Sequence, residues 1–482
     1  MAVLASAVYR VRAGGSNTNG GGWDPVLGAG HTDYSQQAAA QLTLTDIASS
    51  NTTTVTSAVG GFTAAMIGSA IWLTGGGATA GAYFITAVAS LTSMTIDRAA
   101  GTIVAGGGKV GGAWADFWTN TLTAASVVPG NYIYILGTGT PTTSGYGSPD
   151  YTIPTYFTPA AGGVTTGYVT YAADPATPGY TGTKFGGMPL ISCPGLSWYN
   201  SSWIRATLLW LFASGAANPT LGVFYNNNTV LNSVVFDQNG YDIGLVGTGG
   251  SNIISRLYGC EVFSSVAKRT TNAQVAVSFE YYSSTIQSCN IHDAIGPGLH
   301  LTIGASLTTD NVIAKNGGYG IRVEAPGSFQ NVITGNTIDG NTGNGIEVVT
   351  VGGIVTGLIT KNLLTNHATN GIAVLAGTTA SNDLVKGLID YNTFFGNGTD
   401  VSAISYGAHD VHGGSNPFAG QSTENYATTG LAAADGGAFG QHKAGQTTTV
   451  VNNAVAGAVQ PAAGGAGGGL LTNPGMTGNV NG

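Results

Sequence analysis

The chain has 482 residues, of which 78 are glycine, while Asp, Glu, Lys and Arg together make only 7%, where roughly 25% is typical. A formal net charge of −8, with the basic residues scattered, excludes the electrostatic footprint that a nucleic-acid backbone needs. The 43% hydrophobic content is cut by Gly, Ser and Thr before it reaches the ~18 continuous apolar residues of a membrane span, so no membrane insertion is expected.

In chain order, "MAVLASAVYRVRAGG" has neither the basic n-region nor the long h-region of a secretion signal, and residues 1–39 read as a Gly-rich N-terminal arm. Residues 40–114 read as a small β module, in which "TTTVTSAVGGFTAAMIGSAIWLTGG", "AYFITAVAS" and "SMTIDRAA" are alternating runs joined by turn signals. Looser strand runs follow: "NYIYILG" (131–137), "GYVTYAA" (167–173), "PLISC" (189–193) and "IRATLLWLFAS" (204–214). Residues 413–482 form a C-terminal cap and a Gly/Ala-rich tail of low complexity. Ends of this composition are ordered only when something holds them.

The central third repeats itself. "SVVFDQNGYDIGL" from Ser233, "CEVF" from Cys260, "CNIHDAIGPGLHL" from Cys289, "DNVIAKNGGYGIRV" from Asp310, "GNTIDGNTGNGIEV" from Gly335, "KNLLTNHATNGIAV" from Lys361 and "YNTFFGNGTDV" from Tyr391 align. The second position of these copies holds Val234, Glu261, Asn290, Asn311, Asn336, Asn362 and Asn392. A unit this small cannot bury its apolar face alone, and stacking copies gives each residue a like neighbour ~4.8 Å above and below. Asn290, Asn311, Asn336, Asn362 and Asn392 then form a ladder whose amides bond to one another and to turn backbone groups that are costly to leave unsatisfied. A second, partial set of Asn239, Asn316, Asn341 and Asn397 falls five residues after the first.

This pattern resembles the right-handed parallel β-helix repeat of the pectin-lyase-like superfamily, with three strands per coil and an asparagine ladder at one turn. The resemblance implies an all-β solenoid over residues 115–412. The order of segments, from β module through opening coils to Gly-rich end, also resembles β-helix virion proteins of environmental tailed phages. Because the superfamily includes lyases, hydrolases, adhesins and virion proteins, fold alone does not fix function.

Two constellations could carry chemistry. In the resembling enzymes the active cleft lies outside the sheet that here corresponds to "GLHL", "GIRV" and "GIEV", placing His300, Arg322 and Glu347 outward on successive coils. Against this stands a surface ion pair beside a solvated histidine, which contributes under ~1 kcal/mol. Asp237, Asp293 and Asp339 each fall three residues past the ladder position, with Asp293 and Asp339 two coils apart, near the ~9 Å separation of inverting glycosidases. His292 is expected to point to the opposite side of the strand from Asp293, and the blander reading of all three aspartates is turn capping. Trp198, Tyr199, Trp203 and Trp210 could stack on sugars or fill an interface. "HDVH" at 409–412 reads as a polar cap loop or a metal site. Cys193, Cys260 and Cys289 are too spread for a zinc site, and no cofactor motif is found.

The expectation that follows is a non-enzymatic structural protein of a phage virion (appendage, fibre or capsid-surface component). It would be made in the host cytoplasm and released on lysis. It would assemble through its terminal segments as a homo-oligomer, plausibly a trimer, with other virion proteins, and its surface could contact host glycans. The alternatives are a polysaccharide lyase or glycoside hydrolase of the tailspike depolymerase kind, and a cell-surface adhesin.

Overall fold

The computed structural model describes residues 7–118, 127–139, 149–154, 167–184, 186–193, 203–214, 229–240, 244–247, 255–265, 275–279, 284–302, 306–325, 331–350, 357–375, 389–404, 407–412, 418–420 and 425–428. Among them regular structure is almost all strand; the helical elements are two single 3-10 turns, Tyr34–Gln36 and Ala64–Met66.

Sheets of twelve, eleven and seven strands run side by side along the molecule. Within each, a strand pairs in parallel with its counterparts in the coils before and after. Val332–Thr334 lies between Leu307–Thr309 and Leu358–Thr360 in the first sheet. Thr337–Asp339 lies between Val312–Ala314 and Leu363–Thr365 in the second. Ile346–Thr350 lies between Ile321–Ala325 and Asn370–Val374 in the third. The register is unshifted, so like side chains pile up inside: Ile333, Ile359 and Ile389 from the first sheet, Ile291, Ile313 and Ile338 from the second, and Leu299, Ile321, Ile346 and Ile372 from the third share one buried core. Each such side chain contributes about 1.5–3 kcal/mol on burial.

The turn from first to second sheet explains the sequence repeat. In eight successive coils, from Leu208-Leu209 to Tyr391-Asn392, it is two residues long. Its first residue is left-handed in every coil: Leu208, Ser233, Gly259, Ser288, Asp310, Gly335, Lys361 and Tyr391, with φ from 53° to 67°. Its second is the ladder position. Asn311 donates Nδ2 to Asn336 Oδ1 at 2.9 Å, Asn336 to Asn362 at 2.9 Å, and Asn362 to Asn392 at 3.1 Å. Below Asn392 the carboxylate of Asp410 takes the place of an amide, accepting the Asn392 backbone N–H at 2.8 Å.

Asn290 is not in this column. Its register partners are Glu261 and Val312, and the residue that gives its backbone N–H to Asn311 Oδ1 is Cys289. The column therefore continues upward as Cys289, Cys260 and Val234, where apolar or thiol side chains replace the amide. The second set is also a column, but its occupants are Ala294, Asn316, Asn341, His367 and Asn397, linked by backbone N–H donors to the next side chain's oxygen at Asn316, Asn341 and Asn397. Asn239 donates instead to the Ala213 carbonyl.

The N-terminus differs from its expected form as an arm. Val8–Val11 pairs in parallel with Tyr132–Ile135, making it a strand of the first sheet, and it carries Gly22–Trp23 antiparallel on its other edge. Strands from Leu42–Ser50 to Thr102–Val110 close into a six-stranded antiparallel barrel with its own core of Leu44, Ile47, Phe62, Ile71, Tyr83 and Ile103. The barrel is thus inserted between two strands that pair with each other. Tyr9 fastens it to the coils, stacking on Trp114 at 4.6 Å and meeting Phe84 edge-on at 5.6 Å. Of the expected C-terminal cap, the described part is an antiparallel pair, Phe418–Gly420 with Asn425–Thr428; the tail lies outside the described residues.

Candidate functional site

On the third sheet the parallel register places Ser278, His300, Arg322, Glu347 and Ala373 in one line, alternating with the core positions. Arg322 bonds to Glu347 Oε2 through Nε at 2.7 Å and Nη2 at 2.6 Å, and its guanidinium lies 4.4 Å from the centre of the Tyr319 ring. Glu347 is buried, and its second oxygen accepts from Asn344 Nδ2 at 2.9 Å. His300 turns away from this pair to Glu324, 3.1 Å from its Nε2. Burial lowers the His300 pKa despite that carboxylate, and burial pushes the Tyr319 hydroxyl up to about 12. The Nε2 of His300 is already engaged by Glu324.

The aspartates do not form the expected set. Asp237 pairs in register with Phe263, and the column continues through His292 and Ala314 to Asp339, so the two aspartates are four coils apart. His292, not Asp293, fills the slot between them. Asp293 sits one residue further, in a left-handed turn conformation (φ 47°). The turn brings its carboxylate to His292 Nδ1 at 2.8 Å, so the two side chains meet where opposite directions were expected. Asp237 accepts the backbone N–H of Asn239 at 2.7 Å and of Ser265 at 2.9 Å. Asp339 accepts from Thr365 Oγ1 at 2.6 Å and Asn366 Nδ2 at 2.9 Å, both in the next coil.

A constellation that the sequence reading missed runs across the second sheet: Lys184 Nζ is 3.2 Å from Glu261, Glu261 is 3.0 Å from His292 Nε2, and His292 joins Asp293. Burial alone would raise the Glu261 carboxyl, but the neighbouring Lys184 and the His292 bond reverse this and bring it to about 2. The one signal for it was a glutamate at a position that the other aligned copies fill with Val or Asn.

Of the aromatics, Trp198 and Tyr199 lie outside the described residues. Trp203 packs beside Tyr168 at 5.3 Å, and Trp210 is fully buried with Leu190, Phe212 and Val235. Trp210 is therefore not an exposed platform. The "HDVH" histidines go to separate carboxylates: His409 to Asp390 at 2.8 Å while stacked on Tyr391, and His412 to Asp400 at 2.7 Å while stacked on Phe394.

The family model for the right handed beta helix region matches residues 221–385 and 272–423. The repeat is a right-handed parallel β-helix. Among solved structures, this β-helix chain is similar to pectate lyase Pel9A at 12% identity, covering 69% of this chain and 87% of that one, with a TM-score of 0.42. It is also similar to the periplasmic alginate epimerase AlgG (12% identity, 58% and 61% covered, TM-score 0.23). A third is the tailspike protein gp49 from Pseudomonas phage LKA1 (10% identity, 78% and 64% covered, TM-score 0.17). No curated protein matches the sequence.

Proposed function

We propose that the chain is a structural, non-enzymatic component of a bacteriophage virion, a β-helix that assembles with copies of itself and with other virion proteins. The observation that carries the non-enzymatic reading is the commitment of each candidate acid–base group to a neighbour: Arg322 to Glu347, His300 to Glu324, Asp293 to His292, and Asp339 to Thr365 and Asn366. Groups bonded across or within coils hold the stack in register, whereas a general acid or base must be within reach of the substrate proton it moves. The phage reading is supported by the order of segments: an inserted β-barrel, stacked coils, then a Gly-rich end. Mass spectrometry of purified particles tests it, since the protein is expected among the virion components and its absence overturns the assignment. Incubation of the pure protein with capsular or pectin-like polysaccharides is expected to leave them intact; new reducing ends or unsaturated products establish a depolymerase instead.

A further inference from the structure

Where eight later coils pass from first to second sheet in two residues, one earlier coil takes residues 174–189, between Val169–Ala173 and Leu190–Cys193. This insertion lies down on the molecule. It starts at the buried Asp174, gripped by Arg10 at 2.8 Å and Arg12 at 3.4 Å. It turns on Asp174, whose carboxylate accepts the Ala176 N–H and whose carbonyl accepts the Thr177 N–H, both at 2.9 Å. Tyr180 and Met188 then pack on the outward side chains Leu190, Trp210, Phe212, Val235 and Phe263 of the second sheet. That cover is why Trp210, directed away from the central core, is buried.

The far end is pinned by charge. Lys184 reaches Glu261, which stands three strands along the sheet from Leu190–Cys193, or ~14 Å at the usual strand spacing. Glu261 is 2% exposed. A carboxylate so buried needs its partners, and they are Lys184 on one oxygen and His292 Nε2 on the other. The opposite nitrogen of His292 meets Asp293, and Phe263 stacks parallel to the ring at 5.4 Å. The next coil presents Ala314 in the same column and Lys315 in the following turn, Asp237 lies two coils back, and Cys260 and Cys289 lie on the inner side of the adjoining turns. An imidazole donates to carboxylates at both nitrogens only as the imidazolium; the neutral ring must aim a lone pair at Glu261 or at Asp293.

We infer that residues 174–184 and 186–189 form a strap latched across the second sheet, and that the charge on His292 controls the latch. Burial works against that charge, but the bonds to Asp293 and Glu261 outweigh it and the net pKa shift is upward. Lys184 and the imidazolium share the Glu261 carboxylate and repel each other, so the latch is looser while His292 is charged and tightens as pH rises through the raised value, when Lys184 is the one cation left on Glu261. Loosening uncovers Trp210, Phe212 and Phe263.

Hydrogen exchange of the full chain, followed by mass spectrometry at pH 6 and pH 8 and corrected for intrinsic rates, tests this. Protection of peptides spanning 174–189 should fall about three-fold or more at the lower pH while peptides spanning 331–350 keep theirs. Lys184→Met should give the unlatched level at both pH values, and Cys260→Ala should preserve the response, separating the histidine from the nearby thiol. Equal strap protection of the wild type at the two pH values overturns the inference, as does a folded Lys184→Met protein whose strap is as protected as the wild type. Loss of protection at 331–350 would mark a misfolded variant, and the wild-type comparison then decides by itself.

Discussion

Asn336 shows how much a single ladder residue does. Its amide donates to the carbonyls of Thr308 and Thr334 and to Asn362 Oδ1, while its own Oδ1 accepts both the backbone and the side-chain N–H of Asn311. Each buried group left unpaired costs about 1–3 kcal/mol, so Asn336→Ala should lower stability by about 3 kcal/mol or more in denaturant unfolding. Asn341→Ala, which loses the bond to Ile313 and two from Asn316, should cost about 2 kcal/mol. Asn290→Ala should cost under about 1 kcal/mol, because Asn290 is outside the column and its Oδ1 has no partner to lose. Matching midpoints for Asn336→Ala and Asn290→Ala would contradict the register. His367 occupies an amide slot of the second column, giving Nε2–H to the Ile338 carbonyl at 3.1 Å as Asn341 gives its amide to Ile313. Burial lowers its pKa to about 4. The unfolded chain takes up the proton first, near pH ~6.5, so this contribution to stability is complete above that pH and shrinks by about 1.4 kcal/mol per unit as pH falls toward 4. His367→Asn should keep the column bonded and flatten the acid loss, seen as a smaller difference between unfolding midpoints at pH 7 and pH 4.5.

At the level of the turn, six of the eight left-handed positions carry a side chain, although this conformation costs ordinary residues about 1–2 kcal/mol. From Asp310 to Tyr391 the turn is held by the asparagine after it, which is bonded to the coils on either side. Lys361→Val, which adds β-branching where φ is 56°, should destabilise by about 1–2 kcal/mol, while Lys361→Gly should be neutral or slightly stabilising, as unfolding midpoints will show. On the third sheet, Arg322→Ala should cost about 2 kcal/mol by leaving the buried Glu347 with Asn344 alone; Glu347→Gln in the same background should recover part of it, as a double-mutant cycle will report. The same elements show what the sequence could and could not disclose. From Asn311 to Asn392 the amide recurs in each coil, so strand, turn and ladder were legible. At Cys289 and Cys260 the column changes chemistry, and an alignment that seeks asparagine slides one residue to Asn290 and Glu261. That slip moved Asp293 into a column where His292 stands, and it hid the Glu261–His292–Asp293 contact. Lys184 was invisible for another reason: it arrives from an insertion 77 residues away in sequence, and no periodicity reports where an insertion lies down.

A solenoid's coils touch only their neighbours, so stability is nearly one-dimensional and the ends decide cooperativity. Here the N-terminal end is closed by a barrel that the chain enters after Val8–Val11 and leaves before Tyr132–Ile135, two strands that then pair with each other. That pairing was not legible as sequence, because the barrel separates the partners and residues 8–11 carry no repeat signature. The joint is compact: Tyr9, Trp114 and Phe84 are fully buried together, Val11 bridges to Trp114, and Trp23 bridges to Ser69. Gly21 lies so close to Trp114 that a Cβ there would fall 2.4 Å from its ring, so a side chain at Gly21 would push the joint apart. Tyr9→Ala removes the ring that touches both units and should cost about 3–5 kcal/mol, as large core truncations do. Because the barrel has a core of its own, the loss should fall unevenly: hydrogen exchange should accelerate at residues 132–135 and 169–173, while residues 81–90 inside the barrel stay protected. Equal acceleration in barrel and coils would show instead that the two units unfold as one, and that Tyr9 is part of a continuous core and not a joint.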